Sequence, residues 1–126
     1  MIVIGHPWIP SSHFRKVFSK EDITKTDANE IVLLEPLVDS HALAVYCRQN
    51  QIRYAVTAGT INDAILANAL GAAYLVCEED DAMMIQPIAQ EYLFDVSVLV
   101  LIHEEKEIAK IARSGIDGVI FPEAIV

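Results

Sequence analysis

Val96-Ser97-Val98-Leu99-Val100-Leu101-Ile102-His103-Glu104-Glu105-Lys106-Glu107-Ile108-Ala109-Lys110-Ile111-Ala112-Arg113-Ser114-Gly115 reads as one complete strand-and-helix unit. Residues 96–102 form a nearly continuous apolar run, short enough for a strand. An absence of polar alternation means that both faces are covered, so this strand should be central in its sheet. A helix is expected over 104–113. Its carboxylates sit in the first turn and Lys110 and Arg113 in the last, which suits the helix dipole. Gly115 supplies the left-handed stop.

The same beat runs outward in both directions. Strands are expected over residues 2–4, 31–34, 53–57, 73–77 and 119–121. A helix follows Asp39 or Ser40 and runs to about Asn50. Another starts at Thr60, where Thr60-Ile61-Asn62-Asp63 sets a capping hydroxyl three residues before a carboxylate. Its apolar side is Ile61, Ile65, Leu66 and Ala69, and Gly71 ends it. Glu78-Glu79-Asp80-Asp81 favours a further helix start, with Pro87 dividing that helix so that its main body begins near Gln86. Between the first two strands, Pro7 and Pro10 forbid regular pairing. Ser11 or Ser12 is expected to cap a short helix reaching Phe18, and residues 20–29 to be an irregular connection.

Six strands alternating with helices imply parallel strands joined by right-handed crossovers. The expected fold is a single α/β domain. Its open, mainly parallel sheet of about six strands carries helices on both faces, of Rossmann or flavodoxin type. A half-barrel-like (β/α) arrangement is the alternative, since a closed barrel usually takes eight strands. The length of 126 residues fits one domain of about 100–150 residues.

The apolar fraction is 53% and the mean hydropathy +0.35, high for so short a chain. A small domain has much surface for its volume, so the excess points to a homo-oligomer. The net charge is −9. Residues 1–28 hold Arg15, Lys16, Lys20 and Lys25 and carry a net +1, leaving −10 on the rest. Such a chain is repelled by phosphate backbones and anionic lipid, so neither nucleic acid nor a membrane is expected as a partner. Cys47 and Cys77 have no zinc, redox or disulfide-framework spacing. The first residues lack a signal-peptide pattern. A cytoplasmic setting is expected.

Thr57-Ala58-Gly59-Thr60 and Gly118-Val119-Ile120-Phe121-Pro122-Glu123 carry a partial resemblance. The stretch 57–123 resembles part of a phosphate-binding (β/α)8 barrel of the 2-keto-3-deoxy-6-phosphogluconate aldolase type. The first motif is similar to that family's Gly-Thr strand end, the second to its strand ending in Phe-Pro. The family's Schiff-base lysine lies two residues before the Phe, where this chain has Val119. Without an amine there is no iminium intermediate. The resemblance therefore implies βα units and not aldolase activity.

Ligands of parallel α/β folds bind beyond the carboxyl ends of the strands. The residues placed there are His6, Glu35, Thr57, Gly59, Thr60, Asp63, His103 and Glu123, with Cys77 and the acids from Glu78 to Asp81 beside them. Three chemistries suit them. The carboxylates could gather a divalent cation such as Mg²⁺, although first-turn acids also complement helix dipoles. Backbone N–H groups after Gly59 could hold a small anion, although Thr60 equally starts an ordinary helix. His6 and His103 could serve as base or ligand, although neither has a sequence-local partner. His13 and His41 read as surface or partly packed residues. The acids after Cys77 disfavour a thiolate there, and Cys47 reads as packing. A phosphoryl-relay domain would need an acidic pair after its first strand and a lysine after its fifth; Gly5-His6 and His103 stand there instead. The expected function is a non-catalytic α/β module that self-assembles or binds a partner. The alternative is a small-molecule or divalent-metal-dependent enzyme with its site at the C-terminal ends of the strands.

Overall fold

From residue 31 onward the chain repeats one local design, a buried strand, a helix, and a left-handed residue that turns the chain back. The computed structural model describes residues 1–126. Its strands are β1 (Ile2–Ile4), β2 (Phe14–Lys16), β3 (Ile31–Leu34), β4 (Tyr54–Thr57), β5 (Tyr74–Cys77), β6 (Ser97–Leu101) and β7 (Gly118–Ile120). Its helices are α1 (Lys20–Thr24), α2 (Leu37–Gln49), α3 (Ile61–Ala69), α4 (Glu79–Glu91) and α5 (Glu107–Arg113), followed by a 3-10 turn (Pro122–Ala124).

All seven strands are parallel, in the order β1-β7-β6-β5-β4-β3-β2. The expected parallel α/β sheet is present, and β6 lies inside it. The sheet curls into a half-barrel. The Phe14 and Tyr74 ring centroids are 5.4 Å apart, although β3 and β4 stand between their strands. On its other side, β2 meets the segment after the 3-10 turn. Val126 N–H donates to the Phe14 carbonyl and Lys16 N–H to the Val126 carbonyl, both at 2.9 Å.

Period-two alternation sorts the side chains into two cores. Val32, Leu34, Val56, Leu75, Val98, Val100 and Val119 face outward and pack with buried residues of all five helices. Ile4, Phe14, Ile31, Leu33, Ala55, Val76, Leu99 and Ile120 face inward and form a second core that contains no α-helical residue. The helices thus cover the convex side, and the half-barrel alternative describes the arrangement. Strands buried on both faces explain the continuous apolar runs.

Three local expectations are corrected. Residues 14–16 are strand and not part of a helix, because pairing with β3 and the Val126 segment outweighs a local serine cap. Within 20–29 there is a short helix, α1, started by Ser19, whose Oγ accepts from Asp22 N–H, while Phe18 N–H donates to the Asp22 carboxylate. Pro87 does not divide α4, which runs through it. Pro87 is exposed, so the missing N–H lies on the solvent side, where water can serve the freed carbonyl. No helix is long and apolar enough to cross a membrane.

Candidate functional site

The inner side chains of β2 to β6 end at an open mouth on the C-terminal side of the sheet. Alternation along β2 buries Phe14 and carries Lys16 to the same concave face. Pairing of Lys16 with Leu33, and of Thr57 with Val76, sets these residues around a common cavity. Its volume is about 370 Å³. The apolar floor is formed by Leu33, Val76, Leu101 and Ile125, and the rim by Lys16, Glu35, Thr57, Glu78 and Asp81. Gly59 adds bare backbone; a Cβ there would lie 3.6 Å from an Asp81 carboxylate oxygen. The loop after β3 is pinned by Ser40, whose hydroxyl hydrogen-bonds to the Glu35 carbonyl at 2.6 Å.

The charged rim is unpaired within the chain. Lys16, Glu35, Glu78 and Asp81 take part in none of the three ion pairs, which join Arg15 to Glu30, Lys106 to Glu104 and Lys110 to Glu79, nor in the His6–Glu105 hydrogen bond. Glu78 is the N-cap residue of α4, yet its side chain makes no capping hydrogen bond. Cys77 also borders the cavity, but its thiol is pushed up to about 12, chiefly by burial and further by the charges of Asp81 and Glu78. It stays protonated and is a poor nucleophile.

The other candidate residues lie elsewhere. His6 and Glu123 line a separate depression of about 260 Å³ with Ser11 and His13. There the Trp8 N–H donates to His6 Nδ1 at 3.1 Å, so the ring carries its proton on Nε2 and donates it to Glu105 at 2.8 Å. Both ring nitrogens are committed. Thr60 is a helix cap, accepting from Asp63 N–H at 3.1 Å. Asp63 borders a groove between α2 and α3. His103 is exposed, and its backbone N–H donates to Glu107, whose carboxyl that bond and a second from Glu104 N–H hold below the usual carboxylate range. The structure thus brings together Glu35, Thr57 and Gly59 with Cys77, Glu78 and Asp81, leaves His6 with Glu123, and sets Thr60, Asp63 and His103 outside both. The acids are spread out: no three side chains among His, Cys, Asp and Glu lie close enough together to hold a metal ion.

Lys16 is the rim residue that the sequence alone does not point to. Its only signal is the alternation Phe14-Arg15-Lys16-Val17, too short to outweigh the serines before it. Val119, where the resembled family places its lysine, faces the outer core and not this mouth. No protein-family model matches the chain, and no curated protein matches it.

Proposed function

We propose that this chain is a binding module whose ligand is a small molecule held in the mouth of the half-barrel. The observation that carries this reading is the cavity itself, an apolar floor under a rim of charged groups that have no partners in the chain. Small-molecule sites have this composition, and at about 370 Å³ it falls at the small end of their usual range of roughly 300–1,000 Å³. The position agrees with where parallel α/β folds bind ligands. The net charge of −9 argues against nucleic acid. Arg15 is engaged by Glu30 and Lys20 lies over the Tyr46 ring, so two of the four N-terminal basic residues are already in use. Two buried free thiols fit a reducing cytoplasm.

The test is a heteronuclear NMR screen of the full chain against a library of polar fragments. Shifts grouped at Thr57, Gly59, Val76 and Leu101, abolished by a cavity-filling Val76→Trp change in a variant that still folds, are expected. Shifts confined to other surfaces would overturn the assignment.

A second reading rests on a different feature. Leu37, Val38, Leu66, Ala69 and Leu70 line an apolar groove between α2 and α3, with Val38 82% exposed. Self-association through this face would bury it and would use the apolar excess of the composition. Light scattering on an eluting column should then show a dimer or larger species that Val38→Glu/Leu66→Glu dissociates. A monomer mass at every concentration would sink this reading.

A further inference from the structure

We infer that the mouth selects a zwitterion, namely an α-amino acid with a small aliphatic side chain. This rests on the binding reading above and names its ligand. Lys16 reaches the cavity from β2, at one end of the curled sheet. Glu78 and Asp81 enter from the start of α4, beyond β5, with β3 and β4 between them and Lys16. Glu78 and Asp81 thus stand on a different wall from Lys16, while Glu35 follows β3, the strand paired with β2, and Lys16 is in ion-pair contact with no carboxylate.

The charge balance favours a ligand that carries both charges over simpler ones. A plain carboxylate or phosphate would gain Lys16 but face Glu35, Glu78 and Asp81. A plain amine would gain the acids but leave Lys16 with no counter-charge. A neutral compound would cover four charges and satisfy none, at a desolvation cost. A molecule carrying an ammonium and a carboxylate a few bonds apart answers both walls. Its remaining requirement is an aliphatic group to cover Leu33, Val76, Leu101 and Ile125. Three acids against one base make the ammonium end the stronger anchor. Thr57 and the bare Gly59 backbone offer further hydrogen-bonding groups at the rim.

Calorimetry and NMR on the full chain, with leucine, 3-methylbutylamine, 4-methylpentanoate and 3-methylbutanol at equal ionic strength, test this. Leucine is expected to bind about tenfold or more tightly than each of the others, as one charge-assisted hydrogen bond would provide. The amine should rank second. Lys16→Met should bring leucine down to the level of the amine and leave the amine unchanged or better. Lys16→Arg should restore part of the difference. Glu78→Gln with Asp81→Asn should weaken leucine and the amine together and spare the carboxylate. Lys16 and Glu78 are exposed, so these variants should fold, with circular dichroism as the check. Should the carboxylate or the alcohol equal leucine while shifts still map to Thr57 and Leu101, the ligand class is wrong and the site stands. If neither these four compounds nor any fragment of the library moves those signals, both readings fall.

Discussion

Gly118 has no room for a side chain. A Cβ there would lie 2.6 Å from both the Ile2 Cβ and the Ile2 carbonyl oxygen, and 2.8 Å from a Leu99 methyl. β1 can reach β7 only across this bare backbone. Gly118→Ala should therefore cost roughly 1–3 kcal/mol, at the upper end because backbone must move; urea unfolding would measure it. Leu93 is the opposite case. It holds φ +52° and is 85% exposed, so it bears left-handed strain and buries almost nothing. Leu93→Gly should raise stability by about 0.5–1 kcal/mol, read as a higher melting temperature. The thiols add a pH dependence. Burial raises Cys47 to about 11 and Cys77 to about 12, from an ordinary value near 9. A raised folded-state value means that the contribution is complete below about pH 9 and is lost as pH rises toward 11 and 12. Alkaline melts should show that loss, and Cys77→Val should reduce it. Of the site, sequence reading reaches Glu35, Thr57, Gly59, Cys77, Glu78 and Asp81, because strand ends are visible wherever apolar runs stop. It does not reach Lys16, because a three-residue strand lacks a pattern of its own.

The helices show why the repeating units were legible. α2, α3, α4 and α5 are each followed by a left-handed residue, Gln51, Gly71, Leu93 and Gly115. In the first three units the next amide closes the turn: Ile52 N–H donates to Cys47 O, Ala72 to Ala67 O and Phe94 to Ala89 O, at 2.8–3.0 Å. The residue after each stop (Ile52, Ala72, Phe94, Ile116) packs against or within the outer core, as this helix end requires. Two of the four stops are glycines and plain in the sequence; Gln51 and Leu93 are not. At the other end of α3, the Thr60 cap is plain in the sequence, whereas the matching Ser19-Lys20-Glu21-Asp22 pattern is hidden among polar residues. Thr60→Ala removes the oxygen that serves Asp63 N–H and should cost about 1 kcal/mol. Thr60→Ser should recover most of it. Chemical denaturation of the two variants in parallel would distinguish loss of the cap from loss of the Thr methyl.

At the scale of the molecule, self-repulsion and curvature matter. The −9 charge disfavours the compact state, and salt screens it. Potassium chloride should raise the melting temperature. Magnesium chloride at equal ionic strength should add nothing further, since no three donor side chains converge; an extra rise with magnesium would show a cation site and overturn this. The parallel α/β class was readable from the alternation of elements. The curl was not, because covered faces look alike in sequence whether helices cover both or the sheet folds over one.

The closing seam also bears on how the chain is made. Five of the six strand ladders join neighbours in sequence, from β2–β3 through β6–β7, and can zip in order as residues leave the ribosome. β1 cannot. Its partner is Gly118–Ile120, and Phe14 likewise waits for Val126. A growing chain must carry its first strand unpaired until almost all the others are in place. The seam is then a late and non-local event, and such events are slow. Through that interval Ile2, Ile4 and Phe14 present apolar surface that nascent-chain chaperones would recognise.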